Sequence, residues 1–83
     1  MIVNLDAKID RAIADVATLQ ARAERETPAQ LVETRRVVSG LRESVYGMLR
    51  KDARHYTNNQ IDRIALLLIG CNNTVATIDY RSL

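Results

Sequence analysis

The sequence predicts an all-α protein, a small helical bundle, from three observations. Apolar residues recur at alternating spacings of three and four, and a Thr-x-x-Gln helix-start signature occurs twice. The core must be aliphatic, because the chain has no Trp or Phe and only three Tyr. With 83 residues, a single domain spanning 1–83 is expected. A chain this short buries only about 60% of its unfolded surface, so a monomer is expected to be marginally stable.

The first helix is predicted from about Leu5 to Glu26. Asn4 precedes it and is a suitable N-cap, because its side-chain oxygen accepts a hydrogen bond from a first-turn amide. Apolar residues along this segment form an a/d heptad seam, the pattern by which one helix packs along another at a shallow angle. The seam consists of Ile2, Leu5, Ile9, Ala12, Val16, Leu19 and Ala23.

A tight turn is predicted at 27–30. Thr27 is a favourable N-cap, Pro28 suits the first helical position because no amide hydrogen is needed there, and Gln30 completes a capping box. The residue before a proline also disfavours the helical conformation, so the first helix should end here. Such a short connection favours an antiparallel helical hairpin.

The second helix continues the apolar pattern and contains two glycines. Gly40 and Gly47 lie seven residues apart on nearly one face, and each costs about 0.5–1 kcal/mol relative to Ala. The spacing indicates either close approach of another helix or a ligand, or two ordinary tolerated glycines. The seam of this helix consists of Leu31, Val38, Leu41, Val45 and Met48, with Thr34 in the gap.

A third, apolar helix and a short C-terminal helix complete the predicted fold. Thr57 repeats the capping signature, so the third helix should run from Asn58 to about Ile69. Within it, six of the nine residues of 61–69 are Ile or Leu, which demands enclosure by other helices or another copy of the chain. Gly70 is predicted to stop this helix. A last short helix, capped by Asn72, Asn73 or Thr74, is predicted to end near Arg81.

A basic stripe on the second helix is the main candidate binding site. The formal net charge is only +2, but residues 28–56 carry six basic and three acidic residues, which is the whole surplus. Guanidinium groups beside a tyrosine ring can bind phosphates and stack on a base. The alternative is a solvated or intramolecularly paired face, with cations favoured at the helix C-terminus by its dipole. The candidate residues are Arg35, Arg42, Tyr46, Arg50 and Arg54.

The C-terminal segment partly resembles the second half of a helix-turn-helix. Ala65, Val75 and Ile78 have the intervals of that motif, but Gly70 falls one residue later than the motif places it. The would-be recognition helix carries Arg81 as its only cation, whereas DNA binding requires several phosphate contacts. A small DNA-binding transcriptional regulator is therefore the alternative function, and nucleic acid is the less favoured partner.

The sequence argues against catalysis, metal binding and a cofactor. His55 is the only histidine, and Cys71 has no basic neighbour in sequence to lower its pKa, so an inert, partly buried thiol is expected. No residues have metal-ligand spacing, and the three glycines are too scattered for a phosphate loop. The protein is expected not to be an enzyme.

The expected function is therefore non-catalytic binding by a homo-oligomer. The three helices offer more aliphatic surface than a monomer of this length hides, and a symmetric assembly removes it from water. The partner is expected to be an acidic protein surface or a phosphate-bearing small molecule such as a nucleotide, which the protein sequesters, inhibits or adapts. A lone cysteine, no apparent secretory signal and no apolar run near 20 residues predict a cytoplasmic protein without a membrane span.

Overall fold

The computed structural model describes residues 4–83, apart from the side chain of Asp52, and confirms the predicted all-α bundle. The bundle measures 40 × 22 × 18 Å, so its helices lie side by side along one long axis. Ile2, assigned to the first seam, lies outside the described residues. The helical segments are α1 (Leu5–Ala23), α2 (Pro28–Asp52), a 3₁₀ helix (Ala53–His55) and α3 (Asn58–Arg81).

Three of the four predicted helix starts, at Asn4, Thr27 and Thr57, are confirmed by their capping hydrogen bonds. Asn4 Oδ1 accepts from the Ala7 amide at 3.3 Å. The Thr27 amide donates to Gln30 Oε1 at 3.0 Å, and the Thr27 hydroxyl oxygen accepts a hydrogen bond from the Gln30 amide. Thr57 forms the same reciprocal pair at the start of α3. These caps satisfy amides that no preceding helical turn can reach.

α1 ends at Ala23, before the predicted limit at Glu26. Arg81 Nη1 donates to the Ala23 carbonyl oxygen at 2.6 Å, so α3 satisfies a carbonyl that a longer α1 would have bonded itself. The Glu26 carboxylate accepts a hydrogen bond from the hydroxyl of Thr34, a buried residue of α2, and forms an ion pair with Arg22 at 3.2 Å. These contacts close the turn between α1 and α2.

α3 lies in the groove of the predicted antiparallel hairpin. Its contacts with α1 join residues 6 with 60 and 20 with 74, so these two helices run parallel. Its contacts with α2 join residues 35 with 79 and 42 with 72, so those two run antiparallel. α1 and α2 touch each other much less than either touches α3. The third helix therefore supplies most of the bundle's interhelical packing.

The core is aliphatic, as predicted, and follows the inner face of each helix. Two threonines, Thr34 and Thr74, are also buried, and each has a hydrogen-bond partner. The Thr74 hydroxyl lies 2.7 Å from Gln20 Oε1 and 2.8 Å from the Gly70 carbonyl oxygen, which are its available acceptors. The buried apolar residues are Ile9, Val16, Leu19, Ala23, Leu31, Val38, Val45, Ile64, Leu67, Cys71, Val75 and Ile78.

The predicted break at Gly70 is wrong, because α3 is one helix from Asn58 to Arg81. No described glycine has a positive φ, so Gly70 does not adopt the left-handed conformation that ends helices. Its helical cost of about 1 kcal/mol is smaller than the gain from burial, since each fully buried Leu or Ile contributes about 1.5–3 kcal/mol. The residues that bury one stripe on both sides of the glycine are Ile64, Leu67, Cys71, Thr74, Val75 and Ile78.

Another helix approaches closely at Gly70, whereas the predicted close approach of another helix at Gly40 and Gly47 is wrong within this chain. A Cβ added at Gly70 would lie 3.0 Å from Val16 Cγ1 of α1, whereas nothing lies within 4 Å of one added at Gly40 or Gly47. Gly70 therefore allows α1 and α3 to pack closely, and the packing of this chain does not require a glycine at position 40 or 47.

Substitutions at the glycines should separate these roles. Gly40→Ala should raise the free energy of unfolding by about 0.5–1 kcal/mol, because it improves helix propensity in open space. Gly70→Val should lower it by about 1–3 kcal/mol, because the added side chain forces Val16 to move. Urea unfolding monitored by circular dichroism measures both values. A Gly70→Val variant as stable as the wild type would contradict the close packing of α1 on α3.

Acid should destabilise the fold partly through Glu26. The Thr34 hydrogen bond, helped by Arg22, holds the pKa of the Glu26 carboxyl below its ordinary value. Its stabilisation is therefore complete above the unfolded pKa of about 4.3 and is lost as pH falls through the lower folded pKa. Glu26→Gln should weaken this acid dependence in urea unfolding at a series of pH values. Glu24→Gln, at an exposed neighbour, is the control, and an equal effect of both substitutions would refute the assignment to Glu26.

Candidate functional site

The predicted basic stripe is divided in the structure, because its first two arginines contact α3. Arg35 Nε donates to Asp79 Oδ1 at 2.8 Å, and Arg35 Nη2 donates to Asp79 Oδ2 at 3.4 Å. Arg42 Nη1 donates to Asn72 Oδ1 at 3.5 Å. Arg35 also holds the pKa of the Asp79 carboxyl below its ordinary value. These two side chains therefore link α2 to α3 within the chain.

The remaining cations gather where α2 ends. Arg50 and Lys51 lie in the last turn of α2, and Arg54 lies on the 3₁₀ helix, so the four-residue spacing does not continue on one α-helix. Together with Ala53, they line an open depression of about 440 Å³. We call Arg50, Lys51 and Arg54 the cationic cluster. None of the three forms an ion pair with a described side chain.

Tyr46 does not join this cluster. Its side chain is partly exposed on α2, but it does not line the depression formed by the cations. The tyrosine platform flanked by guanidinium groups that the spacing predicted is therefore not assembled around one cavity. The cations themselves lie at the helix C-terminus, where the dipole stabilises positive charge.

His55 and Cys71, which the sequence analysis considered for catalysis, lie on different elements of the fold. His55 is exposed on the 3₁₀ helix. Cys71 is fully buried in the core, and this burial raises the pKa of its thiol, although the nearby Arg42 partly offsets the effect. Among the described residues, no group of three or more His, Cys, Asp or Glu side chains could hold a metal ion.

The helix-turn-helix alternative requires a turn near Gly70, but the chain is helical there. Residues 58–81 form one α-helix, so Ala65, Val75 and Ile78 lie along a single axis instead of on two helices held at an angle. The chain therefore shares with the motif only the spacing of these residues.

An apolar face between α1 and α3 was not identified from the sequence. Leu66, Ile69 and Tyr80 are 65%, 54% and 77% exposed, respectively. Beside them runs a groove of about 420 Å³. Splitting α3 at Gly70 concealed the signal, which is the heptad spacing of 66, 69, 73, 76 and 80. The groove is lined by Ile13, Val16, Ala17, Gln20, Leu66, Leu67, Gly70 and Asn73.

α3 is also long and apolar enough to cross a membrane, judged by length and composition only. One such helix is weak evidence, because core helices of soluble proteins meet the same criterion. A third of its most apolar window is buried in the bundle.

Comparison of the chain with protein-family models, with curated proteins and with solved structures finds no match.

The buried thiol predicts slow modification of the native protein. Cys71 should react with a thiol reagent such as DTNB only as the protein unfolds, so its rate should rise with urea in parallel with the unfolded fraction. A Cys71→Ala/Ser44→Cys variant places the thiol on the exposed face of α2 and should react rapidly without denaturant. Equal native rates for the wild type and this variant would contradict the burial of Cys71.

Proposed function

We propose that this protein is a non-catalytic, cytoplasmic binding protein that acts as a homo-oligomer and regulates, sequesters or adapts an acidic protein partner. The cationic cluster is the binding site. The observation that carries this proposal is that Arg50, Lys51 and Arg54 lie together without an acidic partner among the described residues, whereas Arg35 is paired with Asp79.

An acidic protein surface suits this cluster better than a nucleotide. Small-molecule sites are concave and mostly apolar, with a few polar groups that fix orientation. The depression is open and is lined by three cations and one alanine, so it offers no aromatic side chain on which a base could stack. Flexible, exposed cations instead complement a carboxylate-rich surface and accelerate association by long-range attraction.

Duplex DNA is the less favoured ligand. Affinity for DNA grows with the number of neutralised phosphates, and this cluster offers only three cations. The continuous α3 also lacks the turn that would present a short recognition helix.

The proposal is tested with a fluorescent poly-glutamate peptide as the probe. Fluorescence anisotropy at low salt should show binding that weakens as salt is added. Simultaneous Arg50→Ala, Lys51→Ala and Arg54→Ala substitutions should weaken binding by about tenfold, because each exposed charge contact contributes about 0.2–1 kcal/mol.

The charge-matched control substitutes Lys8, Arg11 and Arg25 by Ala. These residues are also exposed and have no ion pair to a described side chain, so the control should retain wild-type binding. An equal loss in both variants would mean that net charge alone attracts the peptide. Tighter, cluster-dependent binding of ATP or duplex DNA would replace the acidic-protein assignment.

A further inference from the structure

α3 carries a second stripe, away from the core, with the spacing of a coiled-coil seam. The stripe is two residues out of step with the buried one, which places it about 200° around the helix. Every residue of this second stripe is exposed. Its intervals of three, four, three and four are those of a and d positions. The residues are Leu66, Ile69, Asn73, Ala76 and Tyr80.

α1 extends this surface on one side. Ile13 and Ala17 lie across the groove from Leu66 and Gly70, and Gln20 lies at the same level as Asn73. We call Ile13, Ala17 and the five residues of the second stripe the α1/α3 face. None of these side chains is charged. When the face packs against its own copy, its residues therefore place no charged side chain against another.

The face is self-complementary about its middle residue. Asn73 is equally distant in sequence from Leu66 and Tyr80, and its amide both donates and accepts hydrogen bonds. It makes no side-chain hydrogen bond to another described side chain. Two antiparallel copies centred here set Leu66 against Tyr80 and Asn73 against its own copy. Ile69 and Ala76, four residues before and three after the centre, then lie near each other across the axis.

We propose that the α1/α3 face binds a second copy of the chain, with the two α3 helices antiparallel about a two-fold axis at Asn73. This inference deepens the homo-oligomer part of the proposed function and is independent of the cationic cluster. Each subunit contributes α1 and α3, so four helices meet at the interface. A polar Asn at one seam position sets the register of such a packing.

The available area is sufficient for a stable dimer. A standard interface buries about 800 Å² per partner. That area is about one-seventh of the 5734 Å² accessible surface of the subunit. A three-helix bundle presents three faces between pairs of helices, so one face of this kind supplies the required area. Leu66, Ile69 and Tyr80 give it exposed apolar side chains on both sides of the polar Asn73.

A membrane surface fits the same face less well. Helices that lie on membranes carry Lys and Arg beside their apolar residues. Here several heptad neighbours of the face are acids and none is a cation: Asp10 and Glu24 precede and follow Ala17 by seven residues, and Asp62 precedes Ile69 by seven. Arg63, the nearby cation, is paired with Asp6 and Asp10.

Sedimentation velocity over a wide range of protein concentration tests the proposal. The wild type should be a dimer, and Leu66→Lys with Ile69→Lys should weaken association by on the order of 100-fold or more, because charges become buried without partners. Val32→Lys with Val37→Lys is the matched control, since Val32 and Val37 are 73% and 46% exposed on α2, outside the face. Circular dichroism establishes that each variant is folded. A monomeric wild type, or equal association of both lysine variants, would overturn the proposal.

Disulfide cross-linking tests the axis and the orientation. Asn73→Cys should give a covalent dimer under mild oxidation, because this residue lies on the axis. Leu66→Cys should not, because antiparallel packing keeps its two copies apart. The wild type supplies the background, since its own Cys71 is buried. Efficient cross-linking through Leu66→Cys would overturn the antiparallel arrangement.

Different results would contradict the binding proposal for the cationic cluster and the dimer proposal for the α1/α3 face. The Leu66→Lys/Ile69→Lys variant should still bind the poly-glutamate peptide, and the triple alanine variant of the cationic cluster should still be a dimer. A monomeric wild type that floats with phosphatidylcholine–phosphatidylglycerol vesicles would assign the α1/α3 face to lipid and overturn the dimer.

Discussion

The structure depends on the packing of α3 against α1 and α2 at once. α3 is parallel to α1 and antiparallel to α2, and it supplies most of the contacts between helices. Its buried stripe runs through Gly70 without interruption, which brings α3 close to Val16 of α1. The same continuity creates the second, exposed stripe, because only a single helix keeps Leu66 and Tyr80 on one side. Core and candidate interface are therefore two faces of one element.

Much of the fold could be predicted because its determinants are local. Thr27 and Thr57 each begin a helix with a capping box that involves only the residue three positions later, so four residues suffice to predict it. The role of Gly70 could not be read locally, since a glycine after an apolar run has the same sequence context at a helix end and at a close helix crossing. Only the position of Val16 in three dimensions distinguishes them.

The candidate site was predicted less well, because spacing places side chains on one helix but does not reveal their partners. Arg35 and Arg50 belong to the same predicted stripe, yet Asp79 pairs with the first and no described acid pairs with the second. These partners are distant in sequence. The heptad of the exposed stripe was present in the sequence, and the assumed helix end at Gly70 divided it. The protein thus has two candidate binding surfaces with different chemistry: a cationic cluster at the end of α2 and an uncharged face on α1 and α3.

The most direct test of the central claim, that α3 is one helix, is backbone NMR of residues 66–76. A continuous helix predicts helical ¹³Cα shifts through Gly70 and amides of residues 71–74 that exchange with solvent as slowly as those of the flanking turns. Non-helical shifts at residues 70–72 together with fast exchange there would show a break. Such a break would remove both the continuous buried stripe and the exposed heptad from the account.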